Sequence, residues 1–278
     1  MNHYGTLDAL RRGLGLSAVQ HADDDLLVDL LGAASRLIER HTGRVFYPRR
    51  QVRAVDYTGP GILLLDDDLL ELHALTNGDG ASIALDAVRA LPANEAVKSS
   101  LALDRTRVLF TTRDDPLAAI GVDGTWGCHP DWARAWADSG DDVQNDPLGA
   151  DETVIAVADA DGPWMGGGPR FSPGRLIRIG SEYLSVLAVD TDDDLLTVER
   201  GANGTTASVH PVSAPVELYL PPEDVRQVCL RVAAWLYKQR DAGFVQAAGA
   251  LRGQIAVPPA LPDDVTQILG PLARIRVA

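Results

Sequence analysis

Cysteine is nearly missing from this 278-residue chain: Cys128 and Cys229 are its two examples, far apart in sequence. Two separated thiols build neither a disulfide framework nor a CxxC zinc site, and a reducing compartment is the natural expectation. Basic residues are in deficit, with 25 Lys and Arg against 39 Asp and Glu and a formal net charge of -14. A protein that grips nucleic acid neutralises phosphates with clustered cations. Here the cations are scattered, apart from a short group at Arg44, Arg49, Arg50 and Arg53. Aromatics make up 5% of the chain, and no apolar run approaches the length of a membrane span. The opening residues MNHYGTLDALRRG lack the apolar stretch of a signal peptide, so the expectation is synthesis and retention in the cytosol.

What is present is ample apolar content, 46%, together with 26 Gly and 17 Pro. That mixture predicts many turns and short strands joined to a few helices, and the length is enough to bury a core. Asp23, Asp24 and Asp25 precede a helical pattern in which Leu26, Leu27, Leu30, Leu31, Ala34, Leu37 and Ile38 form one apolar stripe. Carboxylates at that position cap free N–H groups and suit the positive end of the helix dipole. Gly43 is placed to end the helix in a left-handed conformation. A shorter helix over Thr6 to Arg12 precedes it. From Gln51 the period changes to that of strands: QVRAVDY alternates, ILLL is compact, and Asn77-Gly78-Asp79-Gly80 signals a turn. Thr106–Thr112 and Ala119–Trp126 read as further strands. HPDWARAWADSG reads as a short helix carrying Trp132 and Trp136, and DDVQNDPLGADE as a polar linker. TVIAVADA, GRLIRIG, EYLSVLAVD, LLTVERG and APVEL form a second β unit. Pro221-Pro222-Glu223-Asp224 then opens a helix whose stripe is Val225, Val228, Cys229, Val232, Ala233 and Leu236. The small-residue stretch from Gly243 to Gly253 reads as a mobile loop, and Asp263 to Leu269 as a short final helix. The first and last helical stripes each need a partner, and packing them together satisfies both.

No catalytic pattern stands out. Asp190, Asp192 and Asp194 start like a calcium loop, but the sixth and twelfth positions hold Leu195 and Gly201 instead of Gly and Glu. A solvated hairpin turn is the plain reading. Asp66, Asp67 and Asp68 read as a charged turn. Cys128 and His129 are adjacent, and adjacency alone supplies neither the facing nor the orienting third group of a nucleophile pair. Gly166-Gly167-Gly168-Pro169 lacks the Lys-Ser/Thr of a phosphate loop. Trp132 and Trp136, one helical turn apart, are either a partner-binding patch or local core, with core the plainer choice. No metal and no cofactor is expected, and no enzymatic activity.

Three stretches resemble the adaptor, or head–tail connector, proteins of tailed phages. They are RLIERHTGRVFYPRR with the β segment ending LTNGDG, then VDGTWG, then LPPEDVRQVCLRVAAWLYKQRDA with its following loop, Pro-Asp helix and basic tail. They cover about half the chain, in that family's order. In the family, VDGTWG leads almost directly to the PPEDV helix, whereas here about ninety residues intervene. That interruption resembles a small β module of phage virion proteins, carrying E-Y-x-x-V, R-G-x-N-G-T-T and a histidine: Glu182, Tyr183, Val186, Arg200 to Thr206 and His210. Gly201, Asn203 and Gly204 fit a tight turn, and Thr205, Thr206 and His210 can satisfy nearby backbone groups.

The resemblance implies an α+β fold: a small helical bundle from the N- and C-terminal helices, β elements, and an inserted small β-barrel-like module. It divides the chain into residues 1–127, 128–217 and 218–278. It implies a structural virion protein of the neck, assembled in the host cytoplasm, that forms a ring of identical subunits, typically twelve, under a portal protein. Such a ring has a heterologous interface that closes on itself. The C-terminal tail is expected to dock on the portal through Val265, Ile268, Leu269, Leu272 and Ile275, with Arg274 and Arg276 adding charge complementarity. Further expected partners are a downstream neck or tail-completion protein, the major capsid protein through the inserted module, and genomic DNA passing unbound along an acidic lumen. Rival readings are another neck, tail-completion or baseplate part, a glycan-acting enzyme, and a plain cytosolic binding module.

Overall fold

In the computed structural model, residues 2–17, 21–164, 168–239 and 261–274 are described. The described chain is α+β, with helices gathered at one place and antiparallel sheets at two others.

Four α-helices share one core: α1 (Leu7–Leu14), α2 (Asp24–Thr42), α3 (Glu223–Gln239) and α4 (Asp263–Leu269). Thr6 caps α1 by accepting from the Ala9 amide, and Gly15 ends it at φ 71°. Gly43 ends α2 at φ 66°, its N–H bonded to the Glu39 carbonyl at 2.8 Å. Asp23 stands at the N-cap of α2 but makes no side-chain cap bond. Its carboxylate instead accepts from the Tyr237 hydroxyl at 2.6 Å, tying α2 to α3. Leu27, Leu31, Ala34 and Ile38 of α2 meet Val225, Val228, Cys229 and Val232 of α3, all fully buried. The two ends of the chain therefore pack together as the paired stripes require. Each of the leucines, isoleucine and valines contributes roughly 1.5–3 kcal/mol by leaving water.

The first sheet holds β1 (Arg49–Val55), β2 (Ile62–Thr76), β3 (Val88–Leu91), β4 (Lys98–Leu103) and β5 (Ile120–Trp126) in the order β1-β5-β2-β4-β3, all antiparallel. VDGTWG lies in and just after β5, an inner strand between β1 and β2. A Cβ on Gly124 would sit 2.4 Å from a Leu69 methyl and 2.6 Å from the Glu71 carbonyl oxygen. Glycine there is what lets β5 press against β2. Trp126 fills the core beneath, and its Nε1 donates to the Gln51 carbonyl at 3.0 Å.

The second sheet holds β6 (Trp136–Asp142), β7 (Val154–Ala156), β10 (Leu176–Ile179), β11 (Glu182–Asp190), β12 (Leu195–Glu199) and β13 (Pro215–Tyr219), ordered β6-β13-β10-β11-β12-β7. A two-stranded ribbon, β8 (Pro163–Trp164) with β9 (Gly168–Pro169), stands beside it. The inserted unit was expected to resemble a barrel; among the described residues no ladder joins the edge strands β6 and β7. The gap is bridged by single bonds, from the Gln144 amide to the Ala156 carbonyl and from the Ala158 and Asp159 amides to the Asp141 carboxylate. β5 ends at Trp126 and β6 begins at Trp136, while β13 continues to Tyr219, two residues beyond the expected end of the insert.

Four local expectations are corrected. Thr106–Thr112 forms no strand; Phe110 turns into the core of the first sheet and its amide bonds to Pro60. HPDWARAWADSG forms a single 3-10 turn over Trp132–Arg134, and Trp136 then enters β6 opposite Tyr219. The supposed polar linker contributes Val143 and Leu148, both fully buried, to the core of the second sheet. Asp66, Asp67 and Asp68 lie inside β2, at a break in its register with β4.

Candidate assembly surfaces

The N-terminal residues strap the parts together. Asn2 donates to the Asn203 side chain at 2.9 Å and accepts from Arg36, the His3 amide bonds to Gly174, and the Tyr4 amide bonds to the Ser35 hydroxyl. The Tyr4 hydroxyl donates to Glu39 at 2.6 Å and accepts from the Phe46 amide at 2.9 Å, while the Tyr219 hydroxyl donates to the Phe46 carbonyl. RLIERHTGRVFYPRR is thus the point where helices, strap and second sheet meet.

The basic group noted in the sequence is consumed by carboxylates. Arg44 pairs with Asp68 at 2.9 Å, Arg49 with Asp67 at 2.8 Å, Arg53 with Asp66 at 2.6 Å and Arg50 with Asp123 at 2.9 Å. Arg274, from the C-terminal tail, joins Asp68 at 3.0 Å and Asp67 at 3.4 Å, and its amide bonds to the Thr42 carbonyl. Burial pushes the Asp68 carboxyl up, against the pull of Arg274 and Arg44. The acids expected to form a turn hold the tail to the body.

The tail residues fare differently from one another. Val265 and Leu269 are fully buried in the helical core, Leu272 packs at its edge, and Ile268 is exposed at 36%. Arg231 pairs with Asp264 on the same junction. Within the single chain, then, Val265, Leu269 and Arg274 are already engaged by their own subunit. Ile275 and Arg276 lie outside the described residues.

The module's motif residues form a buried knot. Glu182 on β11 is fully buried and accepts five hydrogen bonds: from Arg200 at 2.7 and 2.9 Å, His210 Nε2 at 2.8 Å, and the amides of Gly201 at 2.9 Å and Ser208 at 3.0 Å. Burial alone would raise its pKa, but these donors outweigh it and hold the carboxyl at about 2. Arg200 also donates to the carbonyls of Gly149, Glu152 and Ser208. Gly201, Asn203 and Gly204 all take positive φ, as the turn reading requires. A Cβ on Gly204 would lie 2.1 Å from the Arg50 carbonyl oxygen, so this turn is the contact between the module and β1. Thr205 accepts from the Tyr183 amide.

The remaining candidates have structural partners. Asp190 accepts from the Asp192 and Asp193 amides and Asp194 from the Ala160 amide, a self-bonded hairpin turn. His129 Nδ1 accepts from the Asp131 amide, so its Nε2 carries the proton donated to the Leu220 carbonyl. Burial lowers the His129 pKa and raises the Cys128 thiol to about 11, the opposite of an activated pair. Trp136 stacks on Tyr183 at 5.2 Å, Arg178 lies 4.5 Å over the Trp136 ring, and the Trp132 indole donates to Glu71 of the first sheet at 2.7 Å.

One feature had no sequence signal. A groove of about 810 Å³ opens between α1, the 3-10 turn, the β8–β9 ribbon and the start of α3. Arg12, Arg134 and Arg226 on its walls pair with Asp8, Asp131 and Glu223. Among the described residues Arg175 has no carboxylate partner; it donates to the Arg170 carbonyl and lies 4.8 Å over the Trp164 ring.

No family model matches the chain, and no curated protein does. Among solved structures, one similar chain belongs to the neck of an empty GTA particle computed with C6 symmetry. It is 14% identical, with 98% of this chain and 90% of that chain covered, at a TM-score of 0.43. A likeness at that level carries no argument about function.

Proposed function

We propose that this chain is a structural subunit of the neck of a tailed-phage-like particle, an adaptor that forms a ring with copies of itself beneath a portal protein, seals the head and offers the tail its attachment point. The observation that carries this reading is the union of the three adaptor-like stretches in one body. RLIERHTGRVFYPRR ends α2, LPPEDV opens α3 against it, and VDGTWG supplies an inner strand of the first sheet whose Gly127 lies against the Tyr47 carbonyl and leads to the Cys128 amide bonded to Val45. The inserted module joins that body by a tight-turn contact and an N-terminal strap and leaves it intact. The function is binding, without a chemical step. The carboxylates around the groove are occupied: Asp8, Asp131 and Glu223 by arginines and Asp224 by the Val225 amide.

In this reading the portal contact uses the exposed Ile268, with Ile275 and Arg276 of the sequence following it as the resemblance implies, while Val265, Leu269, Leu272 and Arg274 hold α4 in its place. The acidic balance keeps DNA moving through the ring without adhesion. Deleting Pro262 to Ala278 would uncover the helical core, so point changes are the better test. Purified chain is mixed with portal-containing heads and sedimented. The reading expects wild type to co-sediment and Ile268→Ser with Arg276→Glu to lose most of that binding while keeping its thermal stability. Wild-type chain that stays in the supernatant, or a map of the particle neck without it, would defeat the proposal.

A further inference from the structure

Resting on the ring reading, we infer that the groove around Arg175 receives the acidic loop Arg113–Ala118 of a second copy of this chain, with Asp114 or Asp115 meeting Arg175 and Leu117 lying against the apolar wall.

The receiving side is defined by an uncompensated cation. Among the described residues, every other arginine without an ion pair (Arg40, Arg89, Arg105 and Arg113) is exposed to water, which screens it. Arg175 is drawn back into the groove between α1, the β8–β9 ribbon and the start of α3, held by one carbonyl and one indole face. Burial, with repulsion from Arg226, brings its pKa down to about 10, the sign of a charge lacking a counter-ion. Guanidinium is suited to forked recognition of a carboxylate, and such a bond gains strength where water is excluded. Besides the ion-paired side chains, its walls carry apolar surface from Tyr4, Trp164, Pro169, Leu176 and Pro221. The groove therefore fits a segment that is acidic and apolar together, and its volume suits several residues of chain.

The donating side is on the same molecule. Asp114 and Asp115 are exposed, and next to them Leu117 is 66% exposed, among the most open large apolar side chains of the structure. The loop is tied by its own hydrogen bonds. Its Ala118 takes φ 52°, unusual for alanine, and is held there by an amide bond to Asp56 at 2.7 Å; Asp115 bonds the Leu117 amide, and Thr112 bonds the Asp115 carbonyl. Strained backbone held to present one exposed leucine just after two acids is a preorganised contact. The loop belongs to the first sheet and the groove to the helices and module, with no residue shared. A contact between two different patches of identical subunits is heterologous and propagates head to tail, which is what a ring needs.

The test has two arms on the full-length chain. A synthetic peptide of residues 111–119, TTRDDPLAA, is titrated onto the wild-type protein and onto Arg175→Gln. Saturable binding is expected, weakened about tenfold or more by Arg175→Gln, as the loss of a charge-assisted bond implies, and by Asn in place of both peptide aspartates. Inorganic phosphate is titrated as a competitor. In the second arm, chain carrying Leu117→Cys and Pro169→Cys is oxidised at high concentration and in portal-bound form, and a ladder of covalent oligomers is expected. Absence of peptide binding together with absence of the ladder overturns the inference, as does peptide binding indifferent to Arg175, or displacement by phosphate at the peptide's own concentration. Rings that form on the portal with Asp114→Asn, Asp115→Asn and Leu117→Ser in place also overturn it while leaving the ring reading standing. Failure of wild-type chain to form any ring strikes the ring reading itself.

Discussion

Replacing Glu182 by glutamine tests whether the module is held by a saturated buried charge. The carboxylate accepts five bonds, and an amide of the same shape accepts on one atom alone. With the amide oxygen at the Oε1 position, the bonds from Arg200 Nε and the Gly201 amide survive. The NH2 group then faces Arg200 Nη2, the Ser208 amide and His210. His210 can shift its proton and accept; the other two donors cannot. Two buried donors left unmet cost about 1–3 kcal/mol each, and Arg200 keeps three carbonyl partners, so about 3 kcal/mol is expected. Urea unfolding followed by tryptophan fluorescence should show a midpoint lower by roughly 1 M, taking a slope of about 3 kcal/mol per M. The pH dependence has a fixed sign. A carboxyl depressed from 4.5 to about 2 stabilises fully above 4.5, and that contribution is lost as pH falls through 4.5 to about 2. Glu182→Gln should lack this component of acid unfolding. A Glu182→Gln variant within about 0.5 kcal/mol of wild type (roughly the scatter of surface substitutions) and with an unchanged acid limb would refute the account of the knot.

Other outcomes follow from single contacts. Leu269→Ala leaves a cavity in the fully buried helical core and should cost about 3 kcal/mol, with α4 becoming sensitive to limited proteolysis. Gly204→Ala places a methyl against the Arg50 carbonyl at a positive φ; the loss should exceed about 1 kcal/mol, and calorimetry should resolve module and body as separate transitions. Cys128 and Cys229 are both held at about 11 by burial, so both should react slowly with iodoacetamide at pH 8 and quickly in denaturant.

How much of this was legible in the sequence depended on how local the determining contact is. α2 and α3 could be read because a stripe at helical spacing and a glycine stop or proline start lie within or beside each segment. The turn at Gly201 to Gly204 could be read because positive φ is a demand on those residues themselves. Thr106–Thr112 failed because alternation at Val108 and Phe110 describes a strand only where a neighbour lends a ladder; none does, and Phe110 serves as a plug. The polar linker failed because two apolar residues among acids look incidental until the second sheet closes over them. The pairing of Asp66, Asp67 and Asp68 with Arg53, Arg49, Arg44 and Arg274 joins four segments, and nothing within any one of them announces the others. Arg175 gave no signal for the same reason: what marks it is the carboxylate missing around it, a property of the fold.

The tail carries the consequence furthest. Leu261, Val265 and Leu269 are each buried in the subunit's own core, and withdrawing them returns that surface to water at roughly 6 kcal/mol in all. Arg274 would in addition abandon Asp67 and Asp68, leaving Asp68 buried with Arg44 alone. A partner that captured α4 whole would have to return all of this before gaining any affinity. A partner that met only the outer face of α4, at Ile268, would gain without that loss. The two modes separate by mutation. Asp67→Asn weakens the seat through Arg274 without touching α4, so it should leave portal affinity nearly unchanged if α4 stays seated and raise it if the portal captures α4. Measuring unfolding and co-sedimentation on the one variant therefore decides which face of the helix the neck uses.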